Sequence, residues 1–173
     1  SARWWDAQRD ALADAYTIAA LDLAGHGASA ARAQPSLAGY ADDVVAAAAA
    51  IAAERVVLIG HSMAGAYVVA AAERVPSAAM VVLVDTLKDL DQTMPPAEVE
   101  GMLDLYRRDL RTAVEQVLPR YLYAPATPPA VIARLRDEFL AVPGDVAAAL
   151  VAPLYRDDVR PAARRLRVPV HAI

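Results

Sequence analysis

Apolar residues in the first half of the chain fall in short unbroken runs, separated by longer stretches where they recur every three or four positions. The runs are Tyr16–Asp22 (YTIAALD), Arg55–Gly60 (RVVLIG) and Ala79–Asp85 (AMVVLVD). Each has the length of a strand and is bounded by polar or turn residues, so each predicts a buried strand. The first periodic stretch, residues 3 to 13, predicts a short helix whose Trp4 and Trp5 belong to a core. Ser36–Glu54 predicts a second helix, with Leu37, Tyr40, Val44 and Ile51 on one face and Ser36 as its cap. Ser62–Val75 predicts a third, ended by Pro76. Near-continuous apolar strands separated by helices imply an α/β fold with a mostly parallel sheet and helices on both faces.

After Asp85 the pattern changes. From Thr86 to Arg167 no strand is expected. Thr93-Met94-Pro95-Pro96 opens a helix reaching Arg108, and Asp109 opens another through Leu118, interrupted by Pro119. Thr127, followed by two prolines, caps a helix to Leu140. Pro143-Gly144-Asp145 begins one to Tyr155, and Asp158–Leu166 is a further helical stretch. Val168–Ile173 is strand-like again.

Composition narrows the choice of partners. The 173 residues fit one domain with a sizeable core. Hydrophobic content is 57%, but alanine inflates it, so Leu, Ile and Val must do most of the packing. The run Ala46–Ala50 reads as helix propensity. A net charge of −4 leaves no basic footprint for nucleic acid. Without cysteine there is no disulfide frame and no thiolate metal site. Three scattered histidines show no zinc spacing. Gly25-His26-Gly27 lacks the third glycine of a dinucleotide loop, and Gly60–Gly65 lacks a P-loop lysine, so no cofactor is expected. The chain begins without signal-peptide architecture. Its longest small apolar run, Val44–Ala53, is far short of the roughly 20 residues of a membrane span. The default expectation is a cytoplasmic protein with no membrane partner.

The stretch that carries chemistry is Val56-Val57-Leu58-Ile59-Gly60-His61-Ser62-Met63-Ala64-Gly65. It runs from strand through a small-residue turn into a helix. Such a turn lifts one serine hydroxyl above the carboxyl end of a sheet, which makes Ser62 the candidate nucleophile. The backbone N–H of Met63, at the helix N-terminus, is the candidate oxyanion donor. Ala64 stands where the usual pattern has glycine, with Gly65 one place later. The alternative is an ordinary small-residue turn of an α/β protein.

Together with Asp22-Leu23-Ala24-Gly25-His26-Gly27-Ala28-Ser29, this stretch resembles the α/β-hydrolase family, with its D-x-x-G-H-G-x-S loop after the fourth strand and its nucleophile elbow after the fifth. The resemblance implies a core over residues 1–85, a helical cap over 86–167, and the start of the next core strand at 168–173. It also implies that the segment is internal to a longer hydrolase. The third family strand, with the second oxyanion donor, precedes residue 1, and the catalytic histidine follows Ile173. The expected activity is acyl transfer from a small ester, lactone or amide, with the segment alone nearly inactive.

Of the histidines, His61 adjoins the nucleophile and points away, His26 holds its loop, and His171 comes too early for the catalytic place; none is expected to be the base. Asp85, at the carboxyl end of the strand after the elbow, is the candidate acid, since some family members carry it there. The resemblance leaves two other outcomes open: haloperoxidase-like or carbon–carbon-cleaving chemistry on the same fold, and a non-catalytic binding protein on a degenerate scaffold. Met94, Met102, Leu103, Tyr106, Tyr121 and Tyr123 suggest an apolar acyl pocket in the cap, or simply its core.

Overall fold

The computed structural model describes residues 1–91 and 93–173. The chain forms two compact units, Ser1–Gln92 with Asp157–Ile173, and Thr93–Arg156. The second unit falls inside the 86–167 span expected for a cap.

In the first unit, β1 (Val56–His61), β2 (Ala78–Val84) and β3 (Val170–Ala172) form a parallel sheet in the order β1-β2-β3. Helix α3 (Ala64–Ala72) supplies the crossover that the parallel pair β1 and β2 requires, and helix α2 (Leu37–Ile51) precedes β1. A final helix, Arg160–Arg165, precedes β3. The core joins Val44 and Ala48 of α2, Val68 and Val69 of α3, and Ala162 to Leu58, Val81 and Leu83 of the sheet. All three sheet residues lie on one face. Along β1 burial alternates, and Val57 and Ile59 on the opposite face are 48% and 45% exposed. On β2 the residues of that opposite face, Met80, Val82 and Val84, are half-buried.

Two sequence expectations fail at the start of the chain. Residues 16–22 pair with none of the three strands, and Tyr16 and Leu21 are exposed. An apolar run becomes a strand only beside a partner edge, and no strand of the described sheet runs alongside it. The N-terminal helix exists, as a 3₁₀ turn at Ala2–Trp5 leading into α1 (Asp6–Leu12), but neither part buries a residue, so its tryptophans are not core. Ser36 caps α2 as its position implies, its hydroxyl accepting the Gly39 N–H at 3.0 Å.

The second unit is helical throughout its ordered elements: α4 (Pro96–Arg108), α5 (Leu110–Thr112), α6 (Pro119–Leu122), α7 (Pro129–Leu140) and α8 (Gly144–Arg156). The helix of the first unit at Arg160–Arg165 is α9. Val99, Leu103 and Tyr106 of α4 pack with Ala148 and Ala152 of α8. Leu103 and Tyr106 are therefore core, whereas Met94 and Tyr121 are exposed. Between α5 and α6 the backbone widens into a π-turn over Ala113–Val117, where the Leu118 N–H reaches back five residues to the Ala113 carbonyl. Pro119 accounts for it: proline has no N–H to donate, and its ring displaces the carbonyl four residues earlier. Thr127 does not cap α7. Its hydroxyl instead accepts the Ala124 N–H and closes the preceding turn.

A Cβ placed on Gly60 would lie 2.6 Å from the Ala64 carbonyl oxygen and 2.7 Å from Val68 Cγ2. One on Gly101, within α4, would meet nothing within 4 Å. Gly60→Ala should therefore lower stability by about 1–3 kcal/mol through overpacking. Gly101→Ala should raise it by about 0.5–1 kcal/mol through helix propensity. Urea denaturation of both variants checks the pair, and an unchanged Gly60→Ala midpoint would contradict this packing.

Candidate active site

β1 ends and α3 begins within three residues, and Ser62 stands at the bend with φ 52°. A left-handed backbone at a residue with a Cβ costs on the order of 1–3 kcal/mol and persists only where the surroundings impose it. Here they do. The Ser62 N–H donates to the Val84 carbonyl of β2 at 3.1 Å, and the Ser62 carbonyl accepts the Gly65 N–H at 3.0 Å. The bend leaves Ser62 exposed at the carboxyl end of the sheet. Met63 is the N-cap of α3, so its N–H lies at the positive end of the helix with no intrahelical acceptor. Ala64 does not disrupt the turn. The positions with no room for a side chain are Gly60, against Ala64 and Val68, and Gly65, against Thr86.

The loop at 22–29 is organised by one carboxylate. Asp22 accepts the Ala28 N–H at 3.0 Å and the Ala2 N–H at 2.6 Å, and its carbonyl accepts the Ser29 hydroxyl at 2.7 Å. These N–H groups, led by Ala28, hold the Asp22 carboxyl below its ordinary range. The loop is tied to α2 by Asp43, which accepts the Ala24 N–H at 2.9 Å and the Arg32 guanidinium. In the sequence Asp43 is one of two adjacent acidic residues in the early turns of α2, and nothing local marks it as the loop's anchor.

His26 sits inside this arrangement. Its Nδ1 lies 3.2 Å from the Ala24 carbonyl, which can only accept, so Nδ1 carries the proton. Its ring meets Tyr40 edge-on at 5.9 Å, and Tyr40 stacks on Tyr67 at 4.5 Å. Burial pushes the His26 pKa down and the Tyr40 hydroxyl up to about 12, so both are neutral near pH 7. His26 thus braces the loop. His61 is exposed at the end of β1, and His171 is exposed in the middle of β3. Among the described residues, no histidine hydrogen-bonds the Ser62 hydroxyl.

Asp85 follows β2 at φ 46°, one residue beyond the carbonyl that holds Ser62. Its N–H donates to the Ile173 carbonyl at 2.9 Å, and its carboxylate pairs with Lys88 Nζ at 2.7 Å. Lys88 holds the Asp85 carboxyl below its usual range. The structure therefore brings Ser62, Met63 and the Asp85 backbone to one end of the sheet, with the Asp85 carboxylate engaged by a lysine. Among the described residues no cluster of His, Asp and Glu converges as metal ligands, and no single helix is long and apolar enough to cross a membrane.

The sequence profile of the alpha/beta hydrolase family matches residues 1–173. The chain belongs to that family. No curated protein matches it. Among solved structures, it resembles an esterase from Exiguobacterium antarcticum at 15% identity and TM-score 0.85, covering 98% of this chain and 67% of that one. An enol-lactonase from Burkholderia xenovorans LB400 is similar at 24% identity and TM-score 0.83, covering 99% and 67%. A bromoperoxidase from Bacillus anthracis is similar at 15% identity and TM-score 0.77, covering 99% and 68%. The alpha/beta hydrolase fold is thus shared over nearly the whole chain, which spans about two thirds of each of these structures.

The depressed Asp22 pKa sets a pH dependence. A carboxyl lowered by folding stabilises the fold above its unfolded pKa, and that contribution is lost as pH falls through the lowered value. The melting-temperature gap between the protein and Asp22→Asn should be constant above about pH 5 and narrow progressively below about pH 4. A gap independent of pH across that range would show that the Asp22 charge contributes nothing.

Proposed function

We propose that this alpha/beta hydrolase chain carries the nucleophile of a serine hydrolase acting by acyl transfer. The observation that carries the reading is the left-handed backbone of Ser62, φ 52°, between a parallel strand and a helix N-terminus. That conformation is costly, and it is the one that presents a side chain to a substrate above a sheet.

In this reading Ser62 Oγ attacks the carbonyl carbon of a small ester, lactone or amide. Its proton passes to a histidine base, none of His26, His61 and His171 having the geometry for that role. The new Oγ–C bond makes a tetrahedral oxyanion, stabilised by the Met63 N–H at the positive end of α3. Collapse breaks the bond to the alcohol or amine, which takes the proton from the base. Water then repeats the attack on the acyl-enzyme and frees Ser62. Asp85 is the candidate acid to orient the base, and in that role its carboxylate leaves Lys88.

The likeness in fold to an esterase and an enol-lactonase supports an acyl substrate. The likeness to a bromoperoxidase keeps a second outcome of the same nucleophile in view. Fold alone does not separate them.

A fluorophosphonate should form one covalent adduct with the intact protein, at Ser62, identified by peptide mass spectrometry. Ser62→Ala should abolish the adduct and lower ester turnover by roughly 10⁴-fold or more. An adduct that survives Ser62→Ala places the nucleophile elsewhere. No adduct, with small-molecule binding retained, favours a binding protein on this scaffold.

A further inference from the structure

The strained elbow is braced by a second strained turn. After β2 the chain passes through Asp85 at φ 46°, then Thr86, then Leu87 at φ 48°. Two left-handed residues around one ordinary one turn the backbone sharply, and both ends of the turn are fixed. The Asp85 N–H is bonded to the Ile173 carbonyl, and Leu87 packs into the core beside α3. The side chain between them is pressed onto the first turn of α3. A Cβ on Gly65 would overlap Thr86 Cγ2 and lie 2.9 Å from Thr86 Oγ1 and 3.1 Å from Thr86 Cβ. Thr86 therefore fills the space above the Gly65 Cα. The Gly65 N–H, in turn, holds the Ser62 carbonyl at 3.0 Å.

We infer that Thr86 is a positioning residue for Ser62: its branched side chain, seated on Gly65, sets where the elbow and the Met63 N–H stand. This rests on Ser62 being the nucleophile. It assigns Thr86 a mechanical role, acting through Gly65, and no contact with substrate. Chemistry at a nucleophile is sensitive to such support, since a displacement of about 1 Å can cost about 100-fold in rate. The nearest Thr86 atom to the Gly65 face is the methyl Cγ2, so shape matters here more than the hydroxyl.

The test is a substitution series in the intact protein, read by the second-order rate of fluorophosphonate addition at Ser62, by ester kcat and KM, and by melting temperature. Thr86→Val keeps the branched shape and should react within about twofold of the unsubstituted protein. Thr86→Ser and Thr86→Ala remove the methyl and should slow both labelling and kcat about tenfold with KM little changed. Gly65→Ala should slow labelling further, and Gly65→Ala combined with Thr86→Ala should recover most of that loss, because the new methyl takes the vacated space.

Equal labelling of Thr86→Ala and the unsubstituted protein overturns the inference and leaves the nucleophile reading standing. So does a Thr86→Val variant as slow as Thr86→Ala, or a Gly65→Ala defect that Thr86→Ala does not relieve. If Gly65→Ala fails to fold, the three Thr86 variants alone decide. No labelling of Ser62 in the unsubstituted protein overturns both readings together.

Discussion

Helix α3 approaches β1 so closely that the Ala64 carbonyl oxygen stands 2.6 Å from where a Cβ on residue 60 would be. Strand and helix are joined by only Ser62 and Met63, so the chain must reverse direction within the shortest possible link. Within that link the left-handed conformation falls on Ser62. The neighbouring strand completes the constraint, since the Val84 carbonyl of β2 takes the Ser62 N–H. The exposed serine, the N–H at the helix terminus and the glycines at 60 and 65 all follow from one requirement. A parallel strand and its following helix share a boundary with almost no loop.

What the sequence made legible follows from how local each feature is. β1, α3 and β2 were readable because an apolar run between turn residues has few other uses. The turn at Ser62 and Met63 was readable because strand, turn and helix are written in consecutive residues. The strand expected at Tyr16–Asp22 failed because pairing belongs to two segments, and a single run carries no information about its neighbour. The tryptophans at 4 and 5 failed for the same reason: spacing shows which face is apolar, not whether anything covers it. The π-turn before Pro119 lay between the two, since the proline announces a broken ladder but not which carbonyl is skipped.

The contacts that hold the site together were the least legible. Asp43 reaches the Ala24 N–H across 19 positions, and Asp22 reaches the Ala2 N–H across 20. Each is an acidic residue among 21 in the chain. Asp22 at least opens the D-x-x-G-H-G-x-S stretch, whereas nothing in the neighbourhood of Asp43 separates it from Asp42, which pairs on the surface with Arg74 at 2.7 Å. The physical difference is what each carboxylate accepts. Asp22 and Asp43 satisfy backbone N–H groups of a loop that has no ladder of its own, and such groups are costly to leave unmet. Exposed side-chain pairs such as Asp42–Arg74 are screened by water and contribute little.

The distribution of backbone strain separates scaffold from site more sharply than charge does. Four non-glycine residues have positive φ among the described residues: Ala52, Ser62, Asp85 and Leu87. Ala52 ends α2, a place where a left-handed residue is the ordinary way to stop a helix. The other three gather where β1 and β2 end, at the carboxyl edge of the sheet. At the exposed positions Ser62 and Asp85 a scaffold gains nothing from such strain, since glycine would relieve it at little cost in packing. Strain that is kept where relief is easy implies a requirement for the side chains at those positions. Under the proposed mechanism the requirement at Ser62 is a hydroxyl that glycine cannot supply. At Asp85 and Leu87 it is a turn rigid enough to hold what lies between them against the elbow.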